Sequence, residues 1–167
     1  MQTYKRRLVR EKVLQTLYAY ELSKEPITNV MQDVLGELKS RHDDFEFAKK
    51  MIHEVVQHSY ELEEIIKKKV AHWEFDRIAY IDKILLRMGI TEFLYFPDIP
   101  PKVTINELIE VAKVFSTEQS GKFINGVLDA ILEDLKKSNK LNKTGRGLID
   151  HNLSNNTANK KSTKPER

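Results

Sequence analysis

The sequence predicts an all-α fold, and three observations carry the prediction. Apolar residues recur at three- and four-residue spacing over nearly the whole chain. Nowhere is there sustained alternation of period two. Prolines and capping patterns fall between the periodic runs rather than inside them.

Taken in order, the first helix spans 8–22, where Leu14, Leu17 and Tyr18 repeat on one stripe. The next runs over 27–38 through Ile27, Val30, Met31, Val34, Leu35 and Leu38. A third covers 45–56 through Phe45, Ala48, Met51, Ile52, Val55 and Val56, and Leu62, Ile65, Ile66 and Val70 mark a fourth. A longer helix begins near Arg77 and shows Ile78, Ile81, Ile84, Leu85 and Met88. Pro97, Pro100 and Pro101 cannot lie inside a helix and so end it. Thr104 and Glu107 have the spacing of a capping box, as do Ser116 and Gln119, and each pair predicts a helix start. Asn125-Gly126 is ordinarily a hairpin signal. Here Phe123, Ile124, Val127, Leu128, Ile131, Leu132 and Leu135 run through it at helical spacing, so the helix continues. Gly126 then costs about 1 kcal/mol relative to Ala, which points to a close neighbour: tight helix packing in the simpler reading, a ligand in the other.

The chain has 167 residues and 19.5 kDa, the size of one domain with a tail. Residues 1–137 read as the helical domain. From 138 to 167 the composition turns to Lys, Asn, Ser, Thr and Gly, too polar to offset the entropy of ordering, and the segment reads as a disordered basic tail. The net charge of +3 conceals segregation. Residues 1–12 hold five basic residues against one acidic, and residues 136–167 hold nine against two. The stretch between them is acidic, with 14 basic against 22 acidic residues. Two cationic ends on an acidic body suit a polyanion at one surface and a basic protein at another.

Several functions are excluded or unsupported. With no Cys there are no disulfides, thiol nucleophiles, Cys-based zinc fingers or iron–sulfur clusters. No apolar run is long enough to span a membrane and the N-terminus lacks a secretory signal, so a cytoplasmic location is expected. His42, His53, His58, His72 and His151 show no metal-ligand spacing. Gly121-Lys122 resembles the end of a phosphate-binding loop, but Ser116 stands where Gly is needed and Phe123 replaces the magnesium-holding hydroxyl. Asp76 and Asp82 read as salt-bridged helix faces rather than an acid–base pair. No catalytic residue, cofactor or metal is expected.

The opening of the first helix resists so plain a reading. Cations are disfavoured at a helix N-terminus by roughly 0.3–1 kcal/mol each, yet the chain places Lys5, Arg6, Arg7, Arg10 and Lys12 there. Arg6, Arg7 and Arg10 share a face, the stripe that Leu14 and Leu17 occupy further on. The helix is therefore expected to leave the core at its start and present arginines outward. The planar guanidinium suits phosphate oxygens and stacks on bases, which favours nucleic acid as the partner.

Four blocks in order carry a family resemblance: Arg6 to Tyr18 (RRLVREKVLQTLY), Asp82 to Glu92 (DKILLRMGITE), Lys102 to Glu107 (KVTINE) and Lys122 to Asp129 (KFINGVLD). Together they resemble the NusB family of bacterial transcription antitermination factors. The resemblance implies about seven helices in two small packed bundles and no catalytic activity. It also implies binding of single-stranded boxA RNA of ribosomal RNA transcripts, jointly with the ribosomal protein NusE, within a transcription elongation complex. By position, Lys5, Arg6, Arg7, Arg10 and Gln15 would face the RNA, with Glu118, Gln119, Lys122 and Phe123 contributing from the start of the last helix. Trp73, Asp76, Arg77 and Asp82 would form the protein-partner surface. Val9 and Leu108 stand where the family usually has Ala, and so does Gly89, which implies modest repacking. Gln119 stands where an acidic residue is common.

Two other readings stay open at this point: a helical adaptor that binds only an acidic protein, and a module related to those preceding the catalytic domain of ribosomal RNA methyltransferases. A self-paired dimer that masks the arginines is open as well. If RNA is the ligand, five neutralised phosphates predict a salt slope of about −3.5, and Arg10→Ala is expected to weaken binding at unchanged melting temperature.

Overall fold

The computed structural model describes residues 2–149, without the side chains of residues 2–5, His72 and Trp73. Eight α-helices follow one another: α1 (Gln2–Ser23), α2 (Ile27–Leu35), α3 (His42–Gln57), α4 (Ser59–Lys69), α5 (His72–Arg77), α6 (Tyr80–Tyr95), α7 (Pro101–Phe115) and α8 (Glu118–Lys137). No strand occurs among the described residues. The all-helical expectation holds, with one short helix, α5, that the apolar periodicity does not mark.

α1, α2 and α3 pack together as one small bundle, and α4, α6, α7 and α8 as another. The two share α6, which also touches α1 and α3, so their cores merge into one apolar cluster. The sequence explains why α6 is central. Ile84, Leu85, Leu86, Met88, Ile90 and Phe93 lie on all sides of the helix and are all buried, and a helix apolar all round must be covered all round. Gly89 lets α7 and α8 approach it: a β-carbon there would come within 2.8 Å of both Leu128 Cδ atoms and 3.1 Å of Leu108 Cδ1. The small residue at 89 thus makes room for the large one at 108, which is the repacking that the departures at these positions imply.

Helix starts follow local chemistry, not always as the sequence suggests. α7 begins at Pro101, where a missing amide proton costs nothing, so Thr104 and Glu107 lie inside the helix and form no capping box. At α8 the cap is Thr117, one residue later than expected, whose side chain accepts from the Ser120 amide at 3.0 Å. At Gly126 a β-carbon would meet nothing within 4 Å, so tight helix packing does not account for that glycine.

The disordered tail expected from residue 138 does not begin there, and its part from 150 to 167 lies outside the described residues. Lys143 is buried, and its Nζ donates to the main-chain oxygens of Glu92 (2.9 Å) and Phe96 (2.8 Å) at the end of α6. The Thr144 amide donates to Pro97 O at 2.9 Å, and a short turn of 3-10 helix, Gly145–Leu148, follows. Gly145 adopts φ +53°, the left-handed region glycine favours. Gly147 lies so close to Pro97 that a β-carbon would come within 2.0 Å of its carbonyl oxygen. Residues 138–149 therefore form a strap across the end of α6 rather than a disordered segment. They do so because main-chain carbonyls and a pair of glycines supply the contacts that apolar side chains do not.

Candidate nucleic-acid interface

Three turns of helix assemble the site: the start of α1, the middle of α7 and the start of α8. The arginines of α1 do not leave the core. Carboxylates from α6 and α7 come to meet them instead. Arg10 is 2% exposed, and its Nε and Nη2 donate to the two oxygens of the Glu92 carboxylate at 2.9 and 2.7 Å. Thr104 Oγ1 donates to Glu92 Oε1 at 3.0 Å. Burial pushes the Arg10 guanidinium down, but the Glu92 charge and hydrogen bonds more than reverse this and hold its pKa above the ordinary value. Arg10 is thus a sealed structural cation, and its expected contact with RNA is corrected: the face it shares with Leu14 and Leu17 stays inside.

Arg7 and Arg6 lie further out. Arg7 is half-buried and forked onto Glu107, with Nε and Nη2 at 2.8 and 3.1 Å from its oxygens. That pairing raises its pKa. The Arg6 guanidinium lies over the Phe47 ring, 4.1 Å from its centroid, and its Nη1 is buried without a hydrogen-bond partner. Gln15, two turns on, is partly exposed. The Lys5 side chain lies outside the described residues.

The start of α8 is held by a chain of hydroxyls. Ser116 and Thr117 both reach Ser120 Oγ, at 2.9 and 3.1 Å, and Ser120 donates to Asp82 Oδ2 of α6 at 2.8 Å. Asp82 is therefore buried and occupied in holding this turn, not spread on a partner surface as expected. Its second oxygen is buried without a hydrogen-bond partner. Glu118, Gln119 and Lys122 are exposed on the turn, and the Phe123 ring is 38% exposed, unusual for an aromatic on a core helix. Phe123 and Gln119 line an open cavity of about 480 Å³ with Glu74, Arg77, Ile78, Ala79, Asp82 and Ser120. Asp76 and Arg77 are exposed beside it, and the Trp73 side chain lies outside the described residues.

These parts flank one stretch of α7. Arg7 meets α7 at Glu107, while α8 packs on it through Gly121, whose β-carbon position lies 3.4 Å from Ile109 Cγ2 and 3.9 Å from Lys113 Cγ. From Glu107 to Lys113 the helix rises about 9 Å. The arginine arm and the start of α8 thus both adjoin α7, at residues whose side chains leave that helix in different directions. Among the described residues, no group of His, Asp or Glu could hold a metal ion, and no helix is long and apolar enough to cross a membrane.

The NusB family model matches residues 7–133. The chain belongs to the NusB family. The transcription antitermination protein NusB of Salinibacter ruber is 47% identical over 148 residues, covering 86% of this chain and 91% of that protein. Its counterpart in Chloroherpeton thalassium is 45% identical over 150 residues, covering 87% and 69% respectively. Among solved structures, NusB of T. maritima superposes with a TM-score of 0.71 at 32% identity, over 77% of this chain and 91% of that one. A structure of antitermination factors NusB and NusE in complex with dsRNA matches with a TM-score of 0.70 at 29% identity, over 80% and 99%.

Within this NusB fold, sequence reasoning missed the residues that receive the arginines. Glu92 stands in the run from Met88 to Phe93, where Thr91 is the one other polar residue. A carboxylate so placed must be paired, and that was the available signal. Glu107 was hidden by its capping-box spacing. Phe47 and Lys143 gave none.

Proposed function

We propose that the protein is a non-enzymatic transcription antitermination factor that binds single-stranded RNA of the boxA type together with NusE. The observation that carries this reading is the arrangement about α7: Arg6 and Arg7 on one side, Lys122 and the exposed Phe123 ring on the other. Single-stranded RNA asks for that combination, with phosphates neutralised by the cations and a base stacked on the ring. Glu107 gives Arg7 a fixed geometry, and the Phe47 ring does the same for the partly exposed Arg6. The partner protein would meet the neighbouring face, where Asp76 and Arg77 are exposed and the acidic body suits a basic ribosomal protein.

The test is titration of a boxA oligonucleotide and a scrambled control, with and without NusE, between 50 and 200 mM salt. With Arg10 sealed inside, about four phosphate contacts remain. The salt slope should be about −2.8 and affinity should fall about fiftyfold across that range. Phe123→Ala should cost about 1–3 kcal/mol of binding at unchanged melting temperature. Equal affinity for the two oligonucleotides would remove sequence-selective RNA binding and favour the protein-only adaptor.

A further inference from the structure

The strap at residues 138–149 has no part in the site described above, yet it is built and not merely left over. It carries Lys140, Lys143 and Arg146 and no carboxylate. Lys143 is spent as the anchor, on the carbonyl oxygens of Glu92 and Phe96. The Thr144 amide and Gly147 lock the backbone onto Pro97. Lys140 and Arg146 remain exposed.

The position of the anchor is informative. Glu92 is the residue whose carboxylate receives Arg10. The Phe96 ring packs edge-on against Phe47 with centroids 5.2 Å apart, and Phe47 is the ring beneath the Arg6 guanidinium. Lys50 lies over the other aromatic of this pair, its Nζ 4.4 Å from the Phe96 centroid. The strap is therefore fastened to the end of α6 that supports the arginine arm, whereas Asp82 and Ser120 fasten the Phe123 turn to the opposite end of that helix. The arginine arm and the strap thus share one end of α6, and the aromatic turn lies at the other.

We propose that the strap is a third element of the RNA-binding surface: a phosphate-contacting strip, anchored by Lys143, in which Lys140 and Arg146 extend the path of the strand beyond Arg6. This rests on the RNA-binding reading above and adds a length and a direction to it. Anchoring matters because a cation held near the path contributes without the ordering entropy that a free tail would lose.

The experiment is fluorescence anisotropy of the full chain with a single-stranded RNA core, alone or extended by uridines on one side or the other, across 50–200 mM salt. The wild-type protein should gain affinity from extension on one side only. Lys140→Ala/Arg146→Ala should lose that gain, about tenfold at 0.1 M salt, and flatten the salt slope on the extended RNA by about 1.4. Its melting temperature should not move, because both side chains are exposed. Lys143→Met should lose the same gain although both contact residues remain. Unchanged affinity and slope for the double variant would reduce the strap to a structural cap. A full gain in Lys143→Met would replace the anchored strip by undirected tail charge. Either result overturns the proposal and leaves the core interaction standing. Failure of the wild-type protein to bind the unextended core is the different outcome that strikes the RNA-binding reading itself, and this proposal with it.

Discussion

Two buried cations converge on Glu92, and the molecule treats them in opposite ways. Arg10 receives the carboxylate; Lys143 receives only the backbone oxygen, together with that of Phe96. Burial pushes both pKa values down. For Arg10 a full negative charge at hydrogen-bonding distance outweighs burial, and its pKa ends above the ordinary value. For Lys143 the pull of Glu92 and Asp98 falls short, and the amine is lowered to about 8. A formal counter-charge shared bidentately neutralises what it binds, whereas carbonyl dipoles orient a cation without neutralising it. The first contact therefore belongs to the permanent core and the second to a strap whose docking free energy depends on conditions.

The largest effect should come from breaking the neutralised pair. Arg10→Met leaves Glu92 buried with Thr104 as its only side-chain donor, and removal of one partner of a buried pair costs about 3–5 kcal/mol. Urea unfolding should show that loss. Arg10→Met/Glu92→Leu should recover much of it, because two apolar residues leave no orphaned charge. A loss below about 1 kcal/mol in the single variant would mean that the carboxylate finds water or takes up a proton, and the contrast with Lys143 would weaken. The same result bears on function: Arg10 acts on RNA only through the fold it stabilises, so the weakened binding expected of Arg10 substitution comes with a lower melting temperature.

How much of this was legible in the sequence follows the same division. Periodicity exposed the helices because each buries a stripe of apolar residues, and family-like blocks marked the positions of Arg6, Arg7 and Phe123. Arg10 was misread as outward-facing because charge on a single stripe says nothing about carboxylates arriving from residues 82 and 100 positions away. Asp82 was placed on the surface for a similar reason, since its partner Ser120 is 38 residues distant. Composition gave no hint of the strap. Its contacts run through main-chain carbonyls and glycine backbones, which leave no hydrophobic signature, and only Leu141 packs on the core as an apolar tail residue would.

A smaller and opposite effect should appear with pH. Below about pH 8 the Lys143 amine is protonated in the folded and unfolded chain alike, and its burial penalty is carried in full. Between about 8 and the ordinary value of 10.5 the folded protein has released a proton that the unfolded chain keeps. The unfolded state then binds more protons, so stability rises with pH, by up to about 3 kcal/mol if the strap stays docked. The charged groups acting on the amine are Glu92 and Asp98. The measurement is the difference in unfolding free energy between the wild-type protein and Lys143→Met at pH 7 and pH 10, in which other titrations cancel. A difference that falls with pH would contradict the burial argument.

The smallest change in global stability should come from Gly147→Ala, which separates the strap from the body without touching either cation. The added methyl would meet the Pro97 carbonyl oxygen at 2.0 Å, and backbone cannot yield as a flexible side chain can. The strap must lift, so the cost is limited to the docking free energy of these few residues and cannot reach that of the Arg10 pair. Hydrogen exchange distinguishes the two scales. The Thr144 amide, bonded to Pro97 O, should lose protection in the variant, while amides of α1 and α6 exchange as in the wild-type protein. If the amides of α6 near Glu92 lost protection as well, the strap would be holding the end of that helix, and the two cations on Glu92 would form one cooperative unit rather than a fixed core contact and a separable latch.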